Sequence, residues 1–104
     1  MNIEHLNDEN FKEKTNKDNL VLVDFFATWC GPCQIMGTIL ENSKDEIEGV
    51  DVFKVDVDEN PQTAKDFGVM SIPTLVLLKN GQEVAKHIGL MNQDDLLDFI
   101  NSHK

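Results

Sequence analysis

The stretch LVLVDFFATWCGPC, residues 20–33, holds the features that decide the fold. Residues 20–26 are apolar apart from Asp24, as expected of a β-strand that is covered on both faces. After the second cysteine, residues 34–49 carry apolar side chains at the spacing of an amphipathic helix. A buried strand that leads straight into a helix is typical of α/β proteins with a parallel sheet.

Strands and helices alternate on either side of this stretch. Asn80-Gly81 between two apolar runs is a strong signal for a tight β-hairpin, and Asn7-Asp8 are expected to cap a first helix that ends near Thr15. The other expected elements are strands near residues 3–5, 51–57, 74–78 and 83–88, a helix from Asn60-Pro61 to Phe67-Gly68, and a helix capped by Asn92. This order, β-α-β-α-β-α-β-β-α, predicts a mostly parallel sheet covered on both faces, with the hairpin antiparallel at one edge. The pattern leaves the order of the strands open.

Composition predicts one domain and argues against two classes of partner. A chain of 104 residues fits a single compact domain. Its net charge of −10 repels phosphate backbones and anionic lipid, so neither nucleic acid nor a membrane is expected as a partner. The polar, acidic N-terminus does not resemble a signal peptide. We therefore expect a cytoplasmic protein, in a compartment where structural disulfides rarely persist.

The only two cysteines, Cys30 and Cys33, allow three interpretations. A tetrahedral zinc site needs further ligands, but the three histidines, His5, His87 and His103, are scattered along the chain, so no metal is expected. An iron–sulfur cluster shared by two chains stays open, without support in the sequence. A structural disulfide across so short a loop stabilises weakly. The third interpretation is a redox-active dithiol.

The redox interpretation also explains the residues around the cysteines. Cys30 lies at the expected N-terminus of a helix, where unpaired backbone N–H groups and the helix dipole favour a thiolate. The intervening residues place Cys33 one helical turn further on, within reach of the first sulfur. Gly31 allows a substrate backbone to approach closely, and Pro32 begins the helix without losing a hydrogen-bond donor.

Residues 23–33, VDFFATWCGPC, resemble the active-site segment of the thioredoxin family. The resemblance continues through residues 53–58 (FKVDVD), residues 71–74 (SIPT), the Lys79-Asn80-Gly81 turn and Gly89, in the family's order and over essentially the whole chain. It implies a five-stranded mixed sheet of order 1-3-2-4-5, in which strands 4 and 5 form an antiparallel hairpin. Four helices flank the sheet, and the site lies at the C-terminal end of the central strand.

The resemblance also implies the activity of a general protein disulfide reductase without a bound cofactor. Cys30 would be the exposed nucleophile that forms a mixed disulfide with the target, and the more buried Cys33 would attack Cys30 and release the reduced target. A flavin-dependent thioredoxin reductase, drawing electrons from NADPH, would restore the dithiol. The implied partners are this reductase and proteins that contain disulfides, and a monomer is expected.

Asp24 allows two interpretations. A carboxylate within an apolar strand is costly unless it is paired or protonated. Asp24 therefore either reaches water at a strand end or is a base with a raised pKa. In the family the matching position accepts the proton of the second cysteine, here Cys33, and lies near a lysine that matches Lys54. For Lys54 the alternative is a surface residue with a partly covered aliphatic stem.

The Ile72-Pro73 bond is a second element that the resemblance adds. X-Pro bonds are cis in only about 5–6% of cases in folded proteins, so the residues alone predict trans. The family's loop carries a cis proline that faces the cysteines, which implies a cis bond before Pro73. The backbone of Ile72 would then pair with an extended substrate. Trp29, Ile72, Pro73 and Gly89 would frame a shallow apolar groove, whereas the alternative for Trp29 is a place in the core.

The chain departs from the common family pattern at several positions. Phe26 stands where a second Trp is common, and the swap should preserve packing. Gln34 replaces a frequent Lys, which removes a positive charge near the cysteines. Gly37-Thr38 stands where a proline usually kinks the helix, so the kink should be softer or absent. Met70-Ser71 replaces the usual pair before Ile72, which should alter the preference among partners.

Two other functions compete with that of a reductase. An oxidant or isomerase on the same fold is disfavoured because dedicated oxidants of the family carry His between the cysteines and have a signal peptide. A redox-independent binding or scaffold subunit would not need Cys30 and Cys33 at all.

Overall fold

The structure, a computed structural model, describes residues 3–104 and is built on a five-stranded sheet. The strands are β1 (Glu4–His5), β2 (Val21–Phe26), β3 (Asp51–Asp56), β4 (Thr74–Lys79) and β5 (Gln82–Ile88). The helices are α1 (Phe11–Thr15), α2 (Gly31–Ser43), α3 (Pro61–Asp66) and α4 (Gln93–Asn101), with a short 3-10 helix at Lys44–Glu46. The predicted alternation is confirmed, although α2 ends at Ser43, well before the expected cap at Gly49.

The strand order is β1-β3-β2-β4-β5. β3 pairs in parallel with β1 and β2, whereas β4 pairs antiparallel with β2 and with β5. The thioredoxin fold implied by the resemblance is therefore confirmed. The central strand β2 is buried along its whole length, which explains its nearly continuous apolar sequence.

Two apolar layers cover the two faces of the sheet. On one face, α2 and α4 pack against the sheet through Leu22, Met36, Leu40, Leu75 and Leu96. On the other, α1 and the segment after α3 pack through Phe11, Phe25, Val55, Val76 and Phe67. Since side chains alternate along a strand, Asp24 lies on the same face as Leu22, beneath α2.

The predicted hairpin between β4 and β5 is confirmed. Asn80 and Gly81 have φ angles of 55° and 77°, and Lys79 pairs with Gln82 across the turn. Both central residues thus adopt the left-handed conformation that Asn-Gly tolerates. This turn returns the chain along the edge of the sheet towards Gly89.

The predicted capping role of Asp8 is wrong. Its carboxylate accepts hydrogen bonds from Thr63 N at 2.8 Å and Thr63 Oγ1 at 2.6 Å, so it caps α3 instead of α1. Hydrogen bonding from the Thr63 hydroxyl is the main reason that the pKa of Asp8 is lowered. The backbone N–H of Asp8 donates in turn to Asn60 Oδ1 at 3.0 Å. The cap therefore ties the segment after β1 to a helix far along the chain.

Within residues 3–104, no helix has the length and apolar character needed to cross a membrane.

Candidate active site

Cys30 and Cys33 lie between the carboxyl end of β2 and the first turn of α2. Cys30 is the N-cap residue with an extended backbone, φ −91° and ψ 110°, and Pro32 lies in the first turn. The backbone N–H of Cys33 donates to Cys30 Sγ at 3.2 Å. The two cysteines form a disulfide across a Cα–Cα distance of 5.2 Å. Because this N–H group and the helix dipole point at Cys30 Sγ, they favour negative charge on that sulfur when the disulfide is opened.

The expectation that Cys30 is exposed is wrong for this disulfide form. Cys30 is 5% exposed and Cys33 2%, so the second cysteine is the more buried by only a small margin. The two sulfur-bearing residues pack with Phe26 and Ala27, and Ile72 lies against the same cluster. These apolar neighbours leave little of either cysteine accessible.

The loop before β4 reaches the cysteines. The Ile72-Pro73 bond is cis, and the Ile72 carbonyl oxygen lies 4.0 Å from Cys30 Sγ. The Pro73 carbonyl oxygen accepts a hydrogen bond from the backbone N–H of Gly89 at 2.8 Å. Gly89 has φ 100°, a conformation that side chains disfavour, which accounts for the glycine. The structure thus places Ile72 beside the disulfide, with Pro73 and Gly89 next to it.

Trp29 is a surface residue. Its side chain is 70% exposed, and its indole Nε1 donates to Asp58 Oδ2 at 2.7 Å. The role of Asp58 was missed in the sequence. The available signal was its position just after β3, because parallel strands β2 and β3 end at the same edge of the sheet. Asp58 therefore orients the ring of Trp29 next to Cys30.

Exposed apolar side chains flank the same loops. Met70 is 95% exposed, Ile88 61% and Leu90 43%. Met70 precedes the cis-proline loop, and Ile88 and Leu90 flank Gly89. These are among the large apolar side chains that the fold leaves exposed.

Asp24 is fully buried in β2. Neither carboxylate oxygen has a hydrogen-bond partner within residues 3–104. Burial raises the pKa of Asp24 to about 7, and the charge of Lys54 partly opposes this increase. The interpretation of Asp24 as a water-exposed residue at a strand end is therefore wrong.

Lys54 is the β3 neighbour of Asp24 in the sheet register. Its side chain is half-buried, and Nζ lies 4.4 Å from the centroid of the Phe26 ring. The contact with the ring is a cation–π interaction. Lys54 thus acts on Asp24 through space, without a hydrogen bond between them.

The three histidines pack against phenylalanine rings. His5 packs edge-on against Phe26, whereas His87 and His103 both pack against Phe99. In the part of the chain that the structure describes, no group of His, Cys, Asp and Glu is arranged to hold a metal ion.

Comparisons with known proteins agree with this geometry. The thioredoxin family model matches residues 2–102. The chain is 42% identical to a thioredoxin of Chlamydia muridarum, over 98% of this chain and 99% of that protein. It is 45% identical to a thioredoxin of Haemophilus influenzae, over 95% of this chain and 94% of that protein.

Solved structures of thioredoxins are also similar to this chain. A mutant thioredoxin from Halobacterium salinarum superposes with a TM-score of 0.87 at 37% identity, covering 95% of this chain and 88% of that one. A Malassezia sympodialis thioredoxin superposes with a TM-score of 0.88 at 36% identity, covering 97% of this chain and 90% of that one. A disulfide at a helix N-terminus suits reversible thiol–disulfide exchange, because the helix terminus stabilises the thiolate that forms when the bond opens. The chain thus belongs to the thioredoxin family of protein disulfide reductases, with Cys30 and Cys33 as its redox-active pair.

Proposed function

We propose that this chain is a monomeric, single-domain cytoplasmic thioredoxin, with electrons supplied by NADPH through a flavin-dependent thioredoxin reductase. The observation that carries the proposal is the Cys30–Cys33 disulfide at the start of α2, with the Cys33 N–H directed at Cys30 Sγ. Its partners are this reductase and proteins with accessible disulfides. The chain supplies the two reacting thiols, a proton acceptor and a binding surface. The reductase carries out the electron transfer from NADPH through its flavin.

In the first step, the Cys30 thiolate attacks a target disulfide. A bond forms between Cys30 Sγ and one target sulfur, and the other target sulfur leaves as a thiolate that takes up a proton. The helix terminus stabilises the attacking thiolate. The N–H of Cys33, already directed at Cys30 Sγ, supports this assignment of the nucleophile.

In the second step, Cys33 attacks Cys30 Sγ. The bond between Cys30 and the target breaks, the reduced target leaves, and the Cys30–Cys33 disulfide forms, so two electrons pass to the target. Cys33 must first lose its proton, and we assign Asp24 as the acceptor. A pKa of about 7 suits a general base at neutral pH. Lys54 is its electrostatic partner.

The substrate binds along the loops around the disulfide. The backbone of Ile72, beside Cys30 Sγ, pairs with an extended target segment as an added strand would. Trp29, Pro73 and Gly89 line the groove, and the exposed Gly31 and Pro32 allow the target backbone to approach. Backbone pairing and apolar contact explain acceptance of many different targets.

The Cys33→Ser variant should accumulate mixed disulfides with its targets. It can carry out the first step but cannot resolve the bond to Cys30, so a covalent complex with a disulfide substrate such as insulin persists. Non-reducing electrophoresis and intact-mass analysis measure this complex, which reductant should dissolve.

The matched control is the double variant Cys30→Ser/Cys33→Ser, which should form no covalent complex. If it retains the same targets as Cys33→Ser, and reductant does not release them, binding is independent of the thiols. That result would favour a scaffold role over a reductase.

A further inference from the structure

Gly37 lies in the interior of α2, where it is buried on the side that faces the sheet. Glycine in a helix interior lowers stability relative to alanine, because it loses more backbone freedom on folding. Its presence here therefore needs a reason other than helix formation.

The side chain of Lys54, on the strand that faces α2, accounts for a glycine at this position. A Cβ atom at Gly37 would be 3.1 Å from Lys54 Nζ, closer than an ordinary van der Waals contact. Nζ occupies this space next to Phe26, while its parent residue pairs with Asp24 in the register of β2 and β3. Because Gly37 has no methyl group, the ammonium group of Lys54 has space next to α2.

We propose that Gly37 is a positioning residue for the proton-transfer site: the space left by its missing Cβ lets α2 lie against Lys54 Nζ and holds that charge beside Asp24. The inference rests on the proposed role of Asp24 as proton acceptor. It gives a structural role to Gly37, one member of the Gly-Thr pair at which the chain departs from the common family pattern.

Adding a methyl group at Gly37 should move the ammonium group outward. The interior around Asp24 is fully buried, and close-packed interiors accept no displaced side chain. Lys54 is half-buried on a flexible stem, so solvent is the direction open to it. A cation that is further away and better solvated favours the ionised carboxylate less, so the pKa of Asp24 rises.

The other ionisable groups on this face are the same in the native protein and in such a variant. His5 of β1 is next to Lys54 in register and packs on Phe26, and Asp56 is two residues further along β3. Glu41, one turn after Gly37, accepts hydrogen bonds from the backbone N–H of Ile3 and from Lys44. In the oxidised protein Cys30 and Cys33 are joined and do not titrate.

The test is a carbon-detected NMR titration of the Asp24 carboxyl group in the oxidised protein. We expect Gly37→Ala to raise its pKa by about 0.1 to 0.3. Lys54→Met, which removes the charge while keeping much of the side-chain length, should raise it further in the same direction. Thr38→Ala is the matched control: it also places alanine in α2, but at an exposed position, and should leave the titration unchanged. The double variant Gly37→Ala/Lys54→Met should titrate like Lys54→Met alone.

Two outcomes would overturn the inference. An unchanged titration in Gly37→Ala would show that the glycine does not position the charge. A further increase in the double variant, beyond Lys54→Met, would show that the methyl group acts by a route other than Lys54.

The pH profile of disulfide reduction separates this inference from the proposed function. A profile that moves to higher pH together with the NMR titration supports both. If the titration moves and the profile does not, the positioning role of Gly37 stands and the assignment of Asp24 as proton acceptor fails.

Discussion

Cys30→Ser should reduce NADPH-coupled disulfide reduction to the uncatalysed rate. A serine hydroxyl is protonated at neutral pH and forms no bond to sulfur that a second thiol can exchange, so the first step cannot occur. The measurement is NADPH oxidation with thioredoxin reductase and insulin, at saturating reductase.

The fold should survive this change, so the loss can be assigned to chemistry. Serine is a favourable N-cap residue, and its oxygen can accept the Cys33 N–H that Cys30 Sγ accepts now. Thr38→Ser, at an exposed position in the same helix, is the matched control and should keep full turnover. Turnover by Cys30→Ser above the uncatalysed rate would contradict the proposed mechanism.

Asp24→Asn should remove a loss of stability that burial of Asp24 causes as pH rises. The folded-state pKa of about 7 lies above the ordinary value of 3.8, so the folded chain holds a proton that the unfolded chain releases between these values. The contribution of Asp24 to the free energy of unfolding therefore falls as pH rises from about 4 to above 7, by a total of about 4 kcal/mol. Asparagine has no proton to lose in this range. The free energy of unfolding of Asp24→Asn, minus that of the native protein, should therefore increase by about 4 kcal/mol over the same pH range.

Urea unfolding of the oxidised proteins at pH 4, 6 and 8 measures this difference. Other titrating groups are common to both proteins and cancel when the free energies of unfolding are subtracted. Asp24→Leu has a different shape but should show the same pH dependence, because only the lost proton matters. A difference that stays constant from pH 4 to 8 would mean that Asp24 is not held protonated by burial. Both substitutions should also slow disulfide reduction near neutral pH, since Cys33 loses its proton acceptor.

Hydrophobic periodicity, together with cap and turn residues, predicts the order of the elements and the fold class, although not the end of α2. The run at residues 20–26 and the Asn80-Gly81 turn are local signals, and the structure confirms both. The strand order depends on pairing between distant segments, which periodicity does not encode, and it followed only from the resemblance. The cis bond before Pro73 also followed only from the resemblance, because the residues alone predict trans.

The errors at the site have a common physical origin. Asp8 was assigned to the nearest helix, whereas its partner Thr63 is distant in sequence and close in space. The resemblance implies an exposed Cys30, but apolar neighbours brought in by the fold cover it in the disulfide form. The small space between Gly37 and Lys54 Nζ depends on how closely a helix packs on a sheet. Each of these three features depends on tertiary geometry that no local sequence pattern specifies.

The N-cap position of Cys30 has a consequence for how partners recognise the molecule. The disulfide that forms and breaks joins Cys30 and Cys33, which the first turn of α2 already holds close together. Oxidation and reduction should thus leave the backbone almost unchanged. The reductase and the targets then meet one shared shape, and the direction of electron flow is set by the relative reduction potentials and supply of the partners, with no conformational signal required.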